Sequence, residues 1–235
     1  MPEKLQYDVI IVGAGHNALV AACYLAKAKL SVLVLEKQDH TGGATVSAKI
    51  FPGMDAWPSQ YSYLVSLLPD KIIKDLNLNF ILKRRSVASY TPYEDKALLI
   101  SNVDEKLTKE SFVEFAGERE YKKYKKFSKL ESIFAQKVWP TMLEKIPSKN
   151  KMKSFFKTPK EIESWDLFVE KPLGYAMEKY FSNDLVRGLI FTDAKIGILT
   201  YPDDPRFYRI ELLYITLSAE VQGNGEYPLV VWVRL

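Results

Sequence analysis

Asp8-Val9-Ile10-Ile11-Val12-Gly13-Ala14-Gly15-His16-Asn17-Ala18, followed by Ser31-Val32-Leu33-Val34-Leu35-Glu36 and then by Gly42-Gly43, decides the fold of this 235-residue chain. Gly-x-Gly-x-x-Gly alone arises often by chance, so the flanking residues carry the weight. Val9 to Val12 is an unbroken β-branched run, expected of a strand buried on both faces of a parallel sheet. It stops at Gly13. Beyond the glycines, Leu19, Val20, Ala22, Cys23, Leu25 and Ala26 recur at helical spacing without proline, which predicts a helix of about three turns. A second buried strand then runs to Glu36. The fold class is therefore α/β, opening on a Rossmann-like βαβ unit of the kind that holds a dinucleotide.

Each position in the loop has a mechanical reason. Gly13 permits the tight strand-to-helix turn, and Gly15 lets the backbone approach a pyrophosphate that any Cβ would meet. The phosphates would rest on the unpaired N–H groups at the helix N-terminus, where the dipole favours negative charge. Ala18 stands where a third glycine is usual, and its small side chain still allows close helix–strand packing. Glu36, at the end of the second strand, is placed to accept hydrogen bonds from ribose hydroxyls and to repel a 2′-phosphate, which argues against NADP. The fingerprint itself leaves FAD and NAD both open.

The next stretch, Glu36-Lys37-Gln38-Asp39-His40-Thr41-Gly42-Gly43-Ala44-Thr45, resembles the segment after the second strand in two-domain flavoproteins of the amine oxidase and phytoene desaturase group. With Phe51-Pro52-Gly53, Ser62-Tyr63-Leu64, Phe112-Val113-Glu114-Phe115, Thr192-Asp193-Ala194 and Ile196-Gly197, the chain is similar to the phytoene desaturase-like branch, the pyridine nucleotide-disulfide oxidoreductase domain-containing protein 2 family. The likeness covers most of the chain, although only its first forty-odd residues carry specific motifs. It implies FAD, held by Gly13, Ala14, Gly15, His16, Asn17, Ala18, Glu36, Lys37, Gly42, Gly43 and Ala44, with the paired glycines bringing a second backbone loop to the phosphates. It also implies an oxidoreductase that moves hydride from a C–H bond of a hydrophobic, isoprenoid-like small molecule to the flavin. No catalytic residue is singled out, since flavin N5 accepts hydride without a strong protein acid or base.

The disulfide chemistry in that family name does not follow. A thiol relay needs two cysteines, and the one present, Cys23, is expected as a small packed residue inside the first helix. The remaining composition suits a cytoplasmic protein: no apolar run approaches the roughly 20 residues that cross a bilayer, and Met1 to Gln6 leaves no room for a signal peptide. A net charge of +4 spread over many lysines and acids does not call for nucleic acid. The two histidines, His16 and His40, have no companion at ligand spacing, so no metal site is expected. His16 either contacts the pyrophosphate or positions the loop; His40 reads as a surface turn residue.

Residues 1–75 read as the N-terminal part of an FAD-binding domain and 76–228 as a partial, mostly helical substrate-binding region. Short helices are expected between Leu64 and Leu76 with a break at Pro69, and strands at Phe80-Ile81-Leu82, Ala88 to Thr91 and Ala97 to Ile100, the last two joined by a turn at Glu94-Asp95-Lys96. Thr108, Glu110 and Ser111 mark a helix start, and a long helix is expected from Glu118 towards Lys145, broken near Pro140. Further helices follow at Pro159–Val169 and Leu173–Phe181, with Ser148 to Lys153 as a flexible connection. In Tyr121-Lys122-Lys123-Tyr124-Lys125-Lys126-Phe127 the aromatic residues continue at helical spacing through Leu130, Phe134 and Val138, so the lysines read as a solvated face, with peripheral membrane contact as the alternative. Asp193 and Lys195 read either as facing the substrate or as a surface pair.

The family resembled continues after a Tyr-Pro pair with Gly-Gly-Met-Gly, whereas Tyr227-Pro228 is followed here by Leu229-Val230-Val231-Trp232-Val233-Arg234-Leu235. Codons for Leu-Val-Val-Trp-Val, read one base earlier after a G, spell Val-Gly-Gly-Met-Gly, so 229–235 is expected to be an out-of-frame tail. Two classes stay open: a truncated FAD-dependent oxidoreductase served by a complementing C-terminal half, or a catalytically inactive fragment or nucleotide-binding remnant. An NAD-binding module is the third, against which Gly42-Gly43 argues.

Overall fold

The computed structural model describes residues 6–62, 65, 68–82, 85–195 and 201–202. They fall into two compact units divided between Lys83 and Arg84. The expected tail at 229–235 lies outside the described residues, as do the side chains of Asp193 and Lys195.

The first unit opens with strand β1 (Val9–Val12), helix α1 (His16–Lys27) and strand β2 (Val32–Leu35). β1 and β2 pair in parallel, Val9 opposite Val32 and Val12 opposite Leu35. Their entries are clamped by Asp8, whose carboxylate accepts the Ser31 backbone N–H at 2.7 Å and its hydroxyl at 2.6 Å. Helix α2 (Asp70–Asp75) starts directly after Pro69. Asp75 ties it to α1: its carboxylate accepts from the Tyr24 hydroxyl at 2.7 Å, and its carbonyl accepts from the Lys27 ammonium. That hydrogen bond to a carboxylate raises the Tyr24 pKa.

Three expectations fail in this unit. β1 is not buried on both faces: Ile10 is 58% and Val12 86% exposed, while Val9 and Ile11 are half-buried. Among the described residues this sheet has two strands, and none covers the face that carries Ile10 and Val12. Cys23 is exposed, because α1 turns Ala18, Leu19, Ala22 and Leu25 inward and leaves Cys23 on the outer side. Phe80 to Leu82 forms no strand, being a short run without a neighbouring strand to pair with among the described residues.

The second unit starts with an antiparallel hairpin, β3 (Val87–Tyr93) and β4 (Lys96–Ser101), turning at Glu94-Asp95. Helices α3 (Glu105–Ala116), α4 (Glu118–Val138), α5 (Lys149–Lys153), α6 (Pro159–Trp165), α7 (Leu173–Tyr180) and α8 (Asp184–Lys195) follow. The α4 stripe is inside as its spacing predicts: Tyr121, Tyr124, Phe127, Leu130 and Phe134 are buried. Phe127 meets the rings of Phe168, Tyr180 and Phe181 at 5.5, 5.5 and 5.3 Å, and Phe134 meets Phe156, Trp165 and Phe168. These edge-on and tilted contacts are the preferred ones for aromatic rings.

Helix ends depart from expectation where caps decide them. α3 begins at Glu105 rather than near Thr108, because the Asp104 carboxylate accepts from Lys106 N–H and Leu107 N–H. Thr108 instead sits inside the helix and its hydroxyl accepts from Ser101 N–H. Ser148 caps α5, so the expected flexible connection is helical, with Met152 and Phe155 packed against the core. The long helix ends at Val138 in a tight turn containing Pro140. α6 opens with a capping box of Thr158 and Glu161 and gives way at Asp166 to a wider π turn ending at Glu170, short of one continuous helix to Val169.

Among the described residues of this unit, Arg85 Nε, Ser89 Oγ and Asn102 Oδ1 are buried without a hydrogen-bond partner, whereas the buried Glu120 is fully engaged. Burial pushes the Glu120 pKa up, but hydrogen bonds from Lys123, the Ser182 hydroxyl and the backbone N–H groups of Ser182 and Asn183 outweigh it and hold the carboxyl low. Tyr121, buried and donating to Glu105 at 2.9 Å, has its phenol pushed up to about 12. Among the described residues no helix is long and apolar enough to cross a membrane.

Candidate functional site

The loop between β1 and α1 is shaped by its neighbours in the first unit. Gly13 N–H donates to Leu35 carbonyl at 2.7 Å, holding the loop to the end of β2, and Gly13 adopts φ +94°, a conformation L side chains rarely take. Ala14 is fully buried. Its N–H donates to Glu36 Oε2 at 2.6 Å, while Gln38 N–H donates to Oε1 at 2.9 Å. The Gln38 and Ala14 N–H groups hold the Glu36 carboxyl below the usual range. A carboxylate has about four acceptor positions, so its backbone donors do not exhaust it and a ligand hydroxyl can still be accepted. Spacing alone assigned Glu36 to a ribose and missed this second task of fixing the glycine loop; its place at the end of the neighbouring strand was the available signal.

Gly42 and Gly43 reach the same loop. Gly42 N–H donates to the Ala14 carbonyl at 2.8 Å, and Gly15 and Gly42 form a parallel bridge. A Cβ on Gly43 would stand 2.9 Å from Gly15 Cα, so this position tolerates no side chain without moving backbone. The Thr45 hydroxyl locks the turn by donating to the Gly42 carbonyl at 2.8 Å, and the Ser62 hydroxyl donates to the Ala44 carbonyl at 2.8 Å. Thr45 and Ser62 were not among the expected site residues.

Gly15 differs from the other three glycines. Its φ of −71° and ψ of 168° are extended backbone open to any residue, and a Cβ there would meet no atom of the described residues within 4 Å. It is the N-cap of α1, no side chain caps that helix, and its first turn holds no acidic residue. The N-terminal N–H groups and the positive dipole end are therefore available to an anion. His16 and Asn17 begin α1 with exposed side chains, Ala18 lies half-buried behind them, and Lys37 is exposed just after Glu36. His40 is exposed and its Nδ1 lies 2.7 Å from Asp39 Oδ1, whose pKa that hydrogen bond lowers. No cluster of three or more metal-ligating side chains occurs among the described residues.

A strand, a glycine turn opening a helix, and a carboxylate closing the second strand define a dinucleotide-binding Rossmann-like unit. Residues 11–69 match the NAD(P)-binding Rossmann-like domain family. The chain as a whole is homologous to pyridine nucleotide-disulfide oxidoreductase domain-containing protein 2, with 26% identity to the rat protein across 95% of this chain and 43% of the relative. An uncharacterized protein of Mycobacterium tuberculosis is 36% identical, across 85% of this chain and 38% of its own length. A limonene dehydrogenase component of Castellaniella defragrans is 38% identical over 33% of this chain and 14% of that protein. The chain thus spans about two fifths of the first two relatives. Wild-type putrescine oxidase bound to putrescine shares the fold, with a TM-score of 0.54 at 22% identity over 92% of this chain and 42% of that one.

Proposed function

We propose that this chain supplies the adenosine-diphosphate-binding part, and some of the substrate region, of an FAD-dependent oxidoreductase acting on a hydrophobic, isoprenoid-like small molecule in the cytoplasm. The observation that carries the reading is Gly15. Among the described residues nothing in packing or backbone conformation calls for glycine there, and the missing side chain leaves the space above the loop open to a phosphate. The residues fit an FAD diphosphate: Gly13, Ala14, Gly15, His16, Asn17 and Ala18 offer loop and helix N–H groups, Gly42, Gly43 and Ala44 form a second backbone wall, and Lys37 adds a nearby positive charge. Glu36 would take the ribose hydroxyls on the lone pairs its backbone donors leave free. FAD, when bound, supplies a hydride acceptor; the residues named here bind and orient its nucleotide end.

FAD is preferred over NAD because Gly42-Gly43 meets the first loop so closely, as the flavoproteins this stretch resembles require. The name of limonene dehydrogenase, limonene being an apolar terpene, supports the substrate class. A second reading, a nucleotide-binding remnant without catalysis, is favoured by the exposure of β1, where Val12 is 86% exposed beside a sheet of two strands among the described residues. The test is the visible spectrum of purified protein mixed with FAD and desalted. Retained flavin absorption is expected; protein that is folded by circular dichroism yet colourless after FAD addition overturns the cofactor assignment.

A further inference from the structure

Between Lys145 and Lys160 the chain carries six lysines and no acidic residue. All six are exposed. Lys149 and Lys153 both reach Glu170, at 2.6 and 3.3 Å, and Lys151 lies over the Phe155 ring. Lys145, Lys157 and Lys160 make no ion pair among the described residues. Just before α5, Ile146 is 90% exposed, and Leu143, three residues earlier in the chain, is also exposed, with Glu144 the one acidic residue between Leu143 and Lys160.

This segment is held rather than loose. Phe156 is buried, with its ring 5.3 Å from Phe134 and 5.1 Å from Trp165, and Ser148 caps α5. The fold therefore fixes a segment on which Leu143, Ile146 and the Lys145, Lys157 and Lys160 side chains are exposed. The earlier lysine patch on α4 offers nothing comparable, since Tyr121, Tyr124 and Phe127 are buried.

We propose that Leu143 to Lys160 docks on an anionic lipid surface, with Ile146 and Leu143 entering the headgroup–acyl boundary and the lysines meeting the lipid charges. Lysine is depleted where proteins meet proteins, and two aliphatic chains without an aromatic or arginine anchor make a poor protein hot spot. The same composition suits an interface where flexible ammonium groups need only a diffuse negative field. This surface lies in the second unit and does not depend on the cofactor reading.

The full chain is tested by co-sedimentation with phosphatidylcholine vesicles, with and without phosphatidylserine. Binding is expected only with phosphatidylserine and should fall as salt shortens the reach of the charges. Replacing Lys145, Lys157 and Lys160 together by Gln removes charges that hold nothing in the fold. At about fivefold per lysine, the loss should be on the order of 100-fold. Ile146→Ser should weaken binding roughly tenfold, and the triple Lys→Arg variant should bind like the parent. Phosphatidylserine-independent binding, no binding, or a Lys→Gln triple variant that binds as well as the parent overturns the proposal; so does loss of binding in the folded Arg variant.

Discussion

Gly15→Ala should separate ligand binding from folding. At φ −71° and ψ 168°, with no atom of the described residues within 4 Å of the new methyl, the substitution has no steric cost against them. Alanine is a poorer N-cap than glycine by up to ~1 kcal/mol, and its stiffer unfolded chain returns ~0.4–1 kcal/mol, so the net change is within about 0.5 kcal/mol of zero. Binding behaves otherwise. A phosphate oxygen accepting a loop N–H must come to about 2.9 Å of nitrogen, and the methyl group occupies its approach. Losing one such charge-assisted hydrogen bond costs ~1.5–3 kcal/mol, which weakens FAD binding by about 10- to 150-fold. Gly43→Ala is the control: its methyl would strike Gly15 Cα at 2.9 Å in a left-handed conformation, so both stability and binding should fall. Flavin fluorescence titration reads affinity, and amide hydrogen exchange across β1 and α1 reads local stability. A folded Gly15→Ala protein that binds FAD like the parent would refute the reasoning, and so would one whose β1 and α1 exchange as fast as in Gly43→Ala.

Other consequences concern the second unit. Phe127→Ala removes a fully buried ring touching three others and should cost ~3–5 kcal/mol in urea unfolding; a loss below ~1.5 kcal/mol would mean the aromatic cluster collapses around the gap. Glu120→Gln keeps the shape but removes the charge that Lys123 and the Ser182-Asn183 turn converge on, and should cost ~1.5–3 kcal/mol, with faster exchange at the start of α8. Lys137 and the Thr158 and Lys157 N–H groups lower Glu161 to about 2, and Lys149 and Trp165 lower Glu170 to about 2, from an ordinary value of 4.5. Their folded values are depressed, so their contribution is present above pH 4.5 and is lost as pH falls from there towards 2. Urea unfolding across that interval should show a flatter pH slope in the Glu161→Gln, Glu170→Gln double variant; an unchanged slope would place the acid sensitivity elsewhere.

What the sequence made legible was local. The β-branched run, the glycine turn and the helical spacing of Leu19 to Leu25 act within a few residues, and the β1-α1-β2 unit forms as they predict. The α4 stripe was equally plain, because a repeat sustained from Tyr121 to Phe134 leaves one way to bury it. Burial of β1 and Cys23 was not legible, since it depends on which layers lie against the sheet rather than on the strand's own residues. The start of α3 was misplaced because Asp104, Thr108 and Ser111 are all plausible caps, and only the β4 backbone, by occupying the Thr108 and Ser111 hydroxyls, decides among them. In the site, Gly13 and Gly43 were predictable from backbone needs, while the bond from Ala14 to Glu36 required knowing how the strand ends lie side by side.

The buried apolar cluster draws all its members from Leu98 to Ile190, whereas Ala14 and Ile72 are the buried apolar residues of the first unit among those described. Heat capacity of unfolding follows apolar surface exposed, so a calorimetric scan of the unliganded chain should be governed by the second unit. The βαβ unit then contributes little cooperative enthalpy of its own. A dinucleotide that binds only its folded form would add stability in proportion to the logarithm of its concentration, drawing this unit into the melting transition.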